Sequence, residues 1–421
     1  MLYVMLLYLL LALVLNFYAF RGVAILFNIQ KSQQRRMKLI YSYFLIDILF
    51  IVFSIFWIIV IRTSDWHDFV KYRNYAYVSG AFALIYFTKF SFVPFVLIND
   101  LKKIAVFIFK TYMLSGHALY RKSKKAYNKN FVLKAGILVS AVMFLFVLHG
   151  IVIGKTNYQV EEVSISYDKL PESFDGFVIA HISDTHLGSF EREENVIKGI
   201  KKIIGQSPDL VLFTGDLVNN EALEGMPYID VFNELEPPYG KYSVLGNHDI
   251  GDYRRWYTIE KKDPDIRSIE KLHAKFGFEL LRDQHDFIHK GGDSIMIAGV
   301  DNWGLPPFEK TGDLTEAISP YYDFQFIILL SHDPTHWGEK VRGKENIRLT
   351  LSGHTHGLQL GINIFGFRWS PAKYKYQQWQ GLYEQNGQYL YVNTGFGFLL
   401  LPLRIGMPPE ITIITLNKES I

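Results

Sequence analysis

Residues of the types that bind metal ions recur in the second part of the chain, each at the end of a short apolar run. The runs FVIAHIS, DLVLFTG, YSVLG, FIILLS and IRLTLSG are typical of buried strands. The metal-ligand residues at or just after their ends are Asp184, His186, Asp216, Asn247, His248, His332, His354 and His356. Because ligands bind at the carboxyl ends of strands in an open α/β sheet, we expect these side chains to converge on one site.

Two pairs of these residues stand two positions apart. Asp184 and His186 form a D-x-H pair, and His354 and His356 repeat the spacing in GHTH. In an extended backbone, positions two apart point to the same side. Each pair can therefore deliver two metal ligands to the same site.

The remaining ligand types suit a centre with two metal ions. Two divalent cations roughly 3.5 to 4 Å apart need a shared anionic ligand, and a carboxylate can bridge them. Asp216 in TGDLVNN is the natural bridge, because it ends a central apolar strand. Asn247 offers a neutral oxygen, which leaves the second ion more Lewis acidic than another carboxylate would. His248 beside it is then available for acid–base chemistry.

Five blocks of the sequence resemble, in order, those of the calcineurin-like metallophosphoesterases: HISDTHLG, FTGDLVNN, LGNHD, LLSHDP and LSGHTHGLQ. The ending resembles the YkuE-like bacterial branch, whose chains finish with a Gly-rich turn, an arginine and a Pro-Glu-Ile strand, as in YVNTGFGFLLLPLRIGMPPEITIITL. The resemblance extends from about residue 160 to residue 417. It implies a four-layer α/β/β/α sandwich that hydrolyses a phosphoester bond with a metal-activated water.

The resemblance also implies a role for each matching residue. The first metal ion would be held by Asp184, His186, Asp216 and His356, and the second by Asp216, Asn247, His332 and His354. The two ions would be Mn²⁺, Fe²⁺ or Zn²⁺, because sites of nitrogen and oxygen ligands accept several metals. Asn247 and His248 would contact the substrate phosphate, and His248 would protonate the leaving oxygen. A neighbouring carboxylate such as Asp249 would hold His248 in place.

Three further positions bear on the pocket. FTGDLVNN has Asn219 where the family usually has aspartate, but this position is not a family metal ligand. Leu358 follows Gly357 where the branch usually has a second glycine, so we expect a bulkier side chain at the pocket mouth. Arg404 in LPLRIG is a candidate to bind a second substrate phosphate, because guanidinium binds phosphate in two-point geometry. It could equally be a surface ion-pair residue.

Each block alone has an ordinary explanation, because a single histidine is more often a hydrogen-bonded core or surface residue. All five blocks in order, each ending an apolar run, favour a metal-dependent phosphoesterase. One alternative is a membrane sensor or scaffold with a ligand-binding phosphoesterase-like domain, which the complete ligand set disfavours. Another is a lipid A pathway pyrophosphatase acting on UDP-2,3-diacylglucosamine, whose substrate is expected at the cytoplasmic face.

The composition changes near residue 153, so we predict a transmembrane region over residues 1–153 and a metallophosphoesterase catalytic domain over 154–421. Four apolar stretches approach or exceed the roughly 20 residues that cross a bilayer. They are residues 2–20, 39–61, 75–98 and 131–153. The first has no preceding basic residues and no A-x-A site, so it should remain in the mature protein as an anchor.

Basic residues between the stretches predict the orientation. Five of them crowd residues 21–38 and eight crowd residues 102–129, so both loops should be cytoplasmic. The loop at 62–73 carries only three, balanced by two aspartates, and should lie outside. Everything after residue 153 is then extracytoplasmic. This orientation depends on four spans. It requires that residues 104–120, which Lys110 interrupts, form a helix at the cytoplasmic interface and not a fifth span.

Charge and composition also bear on partners. Lys89 lies within the third apolar stretch, where a charge is a candidate for function or for a contact with a neighbouring helix. The basic loops suit anionic headgroups, so membrane lipids are expected partners. The formal charge of only +3 gives no reason to expect nucleic acid. The chain has no cysteine, which excludes disulfides and thiolate metal ligands.

Alternating elements predict a layered α/β domain after the membrane region. Amphipathic helices are expected at 191–204 and 268–276, and further strands at 294–300, 389–392 and 411–416. Residues 362–383 interleave rings with basic side chains: Phe365, Phe367, Arg368, Trp369, Lys373, Tyr374, Lys375, Tyr376, Trp379 and Tyr383. They suit a membrane interface that holds a lipid-linked or cell-envelope substrate, or they cover the sheet edge as a satellite core.

Overall fold

The computed structural model of the chain describes residues 2–27, 33–63, 68–113, 130–251, 259–306, 308, 310–344, 346–364 and 366–419. Contacts divide the chain into two compact units. The helical unit comprises Met1–Ser64 and Tyr77–His149, and the α/β unit comprises Asp65–Ala76 and Gly150–Ile421.

Four helices are present in the described N-terminal residues: α1 (Leu2–Leu26), α2 (Gln33–Thr63), α3 (Asp68–Met113) and α4 (Phe131–Val152). Among the residues that the structure describes, three segments are long and apolar enough to cross a membrane: Gln33–Ile61, Arg73–Phe109 and Phe131–Thr156. In α1 the described side chains begin at residue 13, and they form a shorter apolar helix, Leu13–Leu26. Helices satisfy their backbone hydrogen bonds internally, as a bilayer requires. The predicted helical membrane region is confirmed, and the number of spans stays a prediction.

The helix expected at 104–120 is not a separate element. Residues 104–113 continue α3 without a break, and 114–120 lie outside the described residues. Pro94 lies inside the same helix, and the sequence between Pro94 and Met113 contains neither glycine nor proline. No residue that strongly disfavours a helix therefore separates this part of α3 from the third apolar stretch.

Lys89 faces a neighbouring helix. Its Nζ lies 2.6 Å from Oδ1 of Asp47 in α2 and 4.2 Å from the centre of the Tyr43 ring. Asn16 of α1 donates from Nδ2 to the other oxygen of Asp47 at 3.0 Å. Because a charge in an apolar environment is costly unless it is paired, we interpret Lys89 and Asp47 as a pair that links α1, α2 and α3.

The α/β unit alternates strands with helices and short connections. In chain order its elements are β1 (Gln159–Tyr167), β2 (Phe177–Ile182), α5 (Glu193–Ile204), β3 (Leu210–Phe213), α6 (Ile229–Asn233), β4 (Lys241–Ser243), α7 (Ile259–Lys275), β5 (Glu279–Leu280), β6 (Gln284–Lys290), β7 (Asp293–Gly299), α8 (Leu314–Ala317), β8 (Ile327–Leu330), β9 (Ile347–Ser352), β10 (Ile362–Ile364), β11 (Phe367–Trp369), β12 (Gly381–Gln385), β13 (Gln388–Val392) and β14 (Glu410–Lys418). Every apolar run that predicts a strand contains one, and both expected helices are present.

Two six-stranded sheets face each other. One has the order β1-β14-β2-β3-β4-β5, and the other has the order β12-β13-β9-β8-β7-β6. β2, β3 and β4 are parallel, as are β7, β8 and β9. Side chains of both sheets share one buried apolar cluster, with Ile179 and Leu212 from the first and Ile328 and Leu351 from the second. The carboxyl ends of the parallel strands therefore lie side by side at one end of each sheet.

Helices cover the outer faces of the sheets. On the first sheet, α5, α6 and α7 contribute Ile200, Phe232 and Leu272 to a second apolar cluster. On the second sheet, α8 and the turn Trp337–Val341 contribute Leu314 and Trp337 to a third. The central strands of each sheet, such as β3, β8 and β9, are thus buried on both faces, which agrees with their continuous apolar sequences. The expected α/β/β/α sandwich is confirmed.

Candidate metal centre

The predicted ligands come together from the strand ends of both sheets. After β2, β3 and β4 of the first sheet come Asp184, His186, Asp216, Asn247 and His248, and after β8 and β9 of the second come His332, His354 and His356. Backbone hydrogen bonds connect successive loops, from Asp184 N to Gly215 O and from Gly353 N to His332 O, both at 2.9 Å. All eight side chains are buried except His354, which is half-buried. The ligands therefore lie in the seam between two sheets.

One set of ligand atoms contains Asp184, His186, Asp216 and His356. Nε2 of His186 lies 3.0 Å from Nε2 of His356 and 3.7 Å from Oδ2 of Asp216. Oδ1 of Asp184 lies 3.3 Å from Nε2 of His356. Ligand atoms about 2.0 to 2.2 Å from a shared ion are separated by about 3 to 4 Å. Two imidazole nitrogens that face each other so closely cannot both carry protons, and when neither does, their two lone pairs fit a common cation.

The second set contains Asp216, Asn247, His332 and His354. Nε2 of His332 lies 3.3 Å from Oδ2 of Asp216, 3.1 Å from Oδ1 of Asn247 and 3.2 Å from Nδ1 of His354. The same oxygen of Asp216 also belongs to the first set. The geometry therefore places one carboxylate between two groups of ligands, which suits a bridging role.

Both carboxylates are in the form that binds cations. Burial disfavours the charged form of Asp184, but the imidazoles of His356 and His332 outweigh burial and hold the pKa of its carboxyl below the ordinary value. Burial also opposes ionisation of Asp216, and His332 and His248 lower the pKa of that carboxyl well below its usual range. The site thus combines anionic oxygen and imidazole nitrogen, which fits divalent ions such as manganese, iron or zinc.

Five ligands have a left-handed backbone, with φ of 52° at Asp184, 44° at His186, 59° at Asp216, 69° at His354 and 50° at His356. The D-x-H and GHTH pairs are therefore not extended, contrary to the expectation from their spacing. They turn sharply after their strands. A left-handed backbone costs a residue other than glycine about 1 to 2 kcal/mol. Such strain persists where surrounding contacts over-determine the conformation, as at functional sites.

Groups outside the ligand sets orient two of the imidazoles. Nδ1 of His332 donates to the carbonyl of Thr214 at 2.7 Å, which leaves Nε2 for a metal. Nε2 of His354 lies 2.9 Å from the hydroxyl of Tyr376 and 3.4 Å from Oδ2 of Asp333, which leaves Nδ1 for a metal. Such partners fix the tautomer of a metal ligand. The sequence analysis placed Tyr376 only in the aromatic segment and missed its contact with His354, whereas the adjacency of Asp333 to His332 in SHDP could have indicated a partner.

His248 borders the first ligand set. Its ring is nearly perpendicular to the ring of His186, with centroids 4.8 Å apart. Its Nδ1 lies 2.7 Å from the carbonyl of Asn219, and because a carbonyl only accepts, Nδ1 carries a proton. Its backbone N–H donates to Oδ1 of Asp216 at 2.8 Å. The backbone of His248 therefore holds the carboxylate of Asp216, while its ring is oriented by the carbonyl of Asn219.

The structure gives Asp249 a different position from the expected one. It does not hold the ring of His248, because its carboxylate accepts four backbone N–H groups at 2.7 to 3.2 Å. The donors are Asp216, Leu217, Val218 and Gly246. Burial and the charge of Asp216 raise the pKa of Asp249 to about 7, while the amides oppose this rise. Asp249 therefore shapes the loop that carries Asp216.

We expect Asp249→Ala to lower the melting temperature of the chain in detergent by roughly 5 to 10 °C. The change leaves four buried N–H groups without their acceptor, at a cost of about 2 to 4 kcal/mol. Asp209→Ala is a matched control, because Asp209 accepts one N–H group, from Val178 at 2.8 Å. The melting temperature of the control should fall much less. Equal losses in the two variants would contradict the role given to Asp249.

Arg404 lies inside the protein and is only 2% exposed. Its guanidinium donates to the carbonyls of Thr394, Gly395 and Gly397 at 2.6 to 3.0 Å, and Nη2 lies 3.1 Å from Nδ1 of His356. Burial lowers the pKa of Arg404 to about 10, so the group remains charged at neutral pH. Arg404 is therefore not a surface ion-pair residue, and its guanidinium packs the Gly-rich turn beside the candidate ligand His356. Its contact with a substrate phosphate stays a prediction.

Leu358 keeps the left-handed backbone that glycine would favour. Its φ is 48° and its side chain is 53% exposed. The leucine therefore adopts, with the strain of a Cβ atom, the conformation expected of the glycine that the family branch usually has here. It places an apolar side chain on the surface two residues after His356.

The aromatic segment at 362–383 divides between core and surface. Tyr376 and Trp379 belong to a small buried cluster, as the satellite-core alternative predicts. Phe367 and Tyr374 are 61% and 76% exposed. Phe365 lies outside the described residues. The buried part agrees with the satellite-core alternative, and the membrane-interface role of the exposed rings stays a prediction.

The fold and the site together define a metal-dependent hydrolase of phosphate esters, because a shared carboxylate between two ligand sets suits that chemistry. The chain belongs to the calcineurin-like phosphoesterase family. Residues 177–358 match the family model described as Calcineurin-like phosphoesterase. Residues 2–155 match a second model, described as Probable Calcineurin-like phosphoesterase, transmembrane domain. The predicted family, hydrolase class and membrane association are confirmed.

Several relatives carry related descriptions. The uncharacterized metallophosphoesterase YkuE of Bacillus subtilis is 32% identical over 62% of this chain and 86% of its own length. An uncharacterized metallophosphoesterase of Aquifex aeolicus is 31% identical over 66% of this chain and 100% of its own length. The transmembrane protein with metallophosphoesterase domain of Danio rerio is 28% identical over 67% of this chain, and the match spans 62% of that relative.

Proposed function

We propose that the chain is a membrane-anchored enzyme that uses two divalent ions to hydrolyse a phosphodiester, phosphomonoester or pyrophosphate bond. The observation that carries the proposal is Oδ2 of Asp216, which lies 3.7 Å and 3.3 Å from imidazole nitrogens of the two ligand sets. When bound, divalent ions supply an activated water and positive charge for the phosphoryl oxygens. The complete ligand set disfavours the alternative of a sensor or scaffold that only binds a ligand.

The chain's own residues would hold the phosphate and move a proton. Asn247 and His248 follow β4; Asn247 belongs to the second ligand set, and His248 borders the first. Nδ1 of His248 donates its proton to the carbonyl of Asn219, so we assign Nε2 to the leaving oxygen. In the imidazolium form Nε2 carries a second proton, which would pass to the leaving oxygen and leave the ring neutral. A general acid in this position stabilises the departing alkoxide as its bond to phosphorus breaks. Arg404 contributes indirectly by holding the His356 ring.

Metal removal tests the proposal. The full-length chain in detergent should hydrolyse bis(p-nitrophenyl) phosphate, lose this activity with a chelator and regain it with Mn²⁺. A screen of phosphomonoesters, phosphodiesters and pyrophosphates would then identify the bond type. Activity that survives both chelation and the Asp216→Ala change would overturn the proposed metal-dependent hydrolysis.

We further propose that the catalytic domain is extracytoplasmic and acts on a lipid-linked or cell-envelope substrate. The bias of basic residues between the apolar stretches supports this side of the membrane. The membrane helices and the exposed rings of Phe367 and Tyr374 support a substrate near the bilayer. Hydrolysis of UDP-2,3-diacylglucosamine is the alternative, and it requires the domain to lie on the cytoplasmic side.

Reporter fusions should separate these alternatives. We expect alkaline phosphatase fused after Ile421 to be active, because that enzyme folds only outside the cytoplasm, and a fluorescent protein placed near Gln33 to be bright, because that loop is cytoplasmic. Exchanging the two reporters is the control. Alkaline phosphatase near Gln33 should then be inactive, and the fluorescent protein after Ile421 should be dark. A bright fluorescent fusion after Ile421 would contradict the four-span topology and favour the nucleotide-lipid substrate.

A further inference from the structure

The β10–β11 hairpin exposes an apolar face. Its antiparallel register pairs Ile362 with Trp369 and Ile364 with Phe367, so these four side chains share one side of the ribbon. Ile362, Ile364 and Phe367 are 43%, 56% and 61% exposed. An antiparallel ribbon at a protein surface commonly packs its apolar side inward and leaves its polar side in water. We call these four residues the hairpin face.

The polar side of the hairpin contacts β1 through Arg368. Asn363 and Arg368 form the intervening cross-strand pair, so they point away from the hairpin face. Nη2 of Arg368 lies 4.0 Å from Oε2 of Glu161 on β1, and Nη1 lies in the space that a side chain at Gly381 would enter. A half-exposed ion pair stabilises little by itself. It does show that the polar side contacts β1 and that the apolar side faces away from this contact, with Asn363 and Arg368 themselves exposed.

Backbone hydrogen bonds connect the hairpin to the end of α4. Gly361, next to the hairpin, donates to the carbonyl of Ile405 at 2.8 Å, and Arg404 donates to the carbonyl of Gly150 at 3.2 Å. Gly150 lies in the last turn of α4. A membrane span needs about 20 residues, and a span that starts at Phe131 reaches that length at Gly150. The hairpin is therefore tied to the part of the chain that leaves the bilayer.

We propose that the hairpin face docks into the bilayer that the chain's own helices span. Its apolar side chains would enter the boundary between headgroups and acyl chains. The exposed Lys373 and Tyr374, which follow the hairpin, would lie among the headgroups, where basic and aromatic residues concentrate. Because α4 already connects the domain to the membrane, the hairpin face does not have to reach the bilayer by diffusion from solution.

A protein partner fits this surface less well than a bilayer does. Stable protein interfaces bury roughly 800 Å² on each partner. The hairpin face offers three half-exposed side chains, which present much less area. An apolar surface flanked by lysine and tyrosine is instead typical of segments that lie at a membrane interface.

Docking also has a consequence for the proposed function. The hairpin begins six residues after the metal ligand His356. A docked hairpin would therefore hold the metal centre near headgroup depth, where a lipid-linked phosphate lies. This consequence rests on the proposed hydrolysis, whereas the docking itself does not.

Cysteine labelling tests the docking, because the chain has no cysteine of its own. We would make Ile364→Cys and Phe367→Cys in the full-length chain, with Tyr322→Cys as a control at a residue of the α/β unit that is 45% exposed. Each variant would carry a nitrobenzoxadiazole probe in nanodiscs of phosphatidylglycerol and phosphatidylethanolamine. The measurement is fluorescence quenching by spin-labelled lipid and, separately, by aqueous iodide.

We expect spin-labelled lipid to quench the probes at Ile364 and Phe367 several-fold more than the probe at Tyr322, and iodide to show the reverse order. Equal iodide quenching at all three positions would overturn the docking. Protection of both hairpin probes from both quenchers would overturn it too, because it would indicate a protein partner such as a second copy of the chain. The readout involves neither metal nor substrate, so its failure is distinguishable from failure of the proposed hydrolysis.

Discussion

Asp216→Ala should remove both metal ions and lower kcat/KM by a factor of about 10³ or more. The reason is geometric, because Oδ2 of Asp216 lies 3.7 Å from Nε2 of His186 and 3.3 Å from Nε2 of His332. The variant therefore loses an anionic ligand from both sets at once. The measurements are the metal content of the purified chain and its kinetics on a soluble aryl phosphodiester.

Asp209→Ala is the control for this change. Asp209 directly precedes β3 and Asp216 follows it, so the same type of residue is removed at the opposite end of one strand. The control should retain its metal and most of its activity. If Asp216→Ala still contained two ions per chain, the bridging assignment would be wrong.

The positions of the ligands could be predicted because buried parallel strands have a simple sequence signature. β3 and β8 are LVLF and IILL, with every residue buried, so each reads as a continuous apolar run. The first residues of metal-ligand type after such a run lie close to the strand end. Asp216 and His332 were found in this way. Edge elements such as β6, with the sequence QHDFIHK, lack this signal and were not predicted.

The local geometry of the ligands could not be predicted from their spacing. Positions two apart share a side only in an extended backbone, whereas Asp184, His186, His354 and His356 all have positive φ. Residues other than glycine rarely adopt this conformation, so their sequence gives no sign of it. It is imposed by contacts between distant segments, such as the 2.9 Å hydrogen bond from His354 N to Oδ2 of Asp184.

Backbone carbonyls that orient the histidine side chains also could not be predicted from the sequence. His332 and His248 are oriented by the carbonyls of Thr214 and Asn219. Every residue has a carbonyl, so residue type does not reveal which one accepts. The adjacency of Asp249 to His248 suggested a carboxylate partner, but a buried carboxylate surrounded by amides satisfies those amides first.

Arg404 illustrates the same limit for a charged residue. Its charge suggested a surface or a substrate contact, yet it is buried in a turn rich in glycine. That turn leaves several carbonyls without secondary-structure partners, and a guanidinium offers five N–H donors to satisfy them. The need for these donors becomes visible only when the fold brings the turn and the arginine together.

His248→Ala should retain metal and lose activity by about 10² to 10⁴-fold on a substrate with a poor leaving group. Metal should remain because the backbone N–H of His248, which the change preserves, donates to Oδ1 of Asp216 at 2.8 Å. The loss should shrink for a nitrophenyl leaving group, because a weakly basic leaving oxygen needs little protonation as it departs. The measurements are metal content and kcat/KM for alkyl and nitrophenyl esters of the same phosphate.

His273→Ala is the matched control for His248→Ala. His273 is also a fully buried histidine, but its Nδ1 lies 2.9 Å from Oγ of Ser243 and it is not among the ligands. Its loss should weaken stability without changing the ratio of activity on the two leaving groups. For His248→Ala that ratio decides between two roles, because a residue that only positions the phosphate contributes equally to both substrates. An equal loss on both esters would therefore assign His248 to phosphate binding and leave the leaving-group proton to another group.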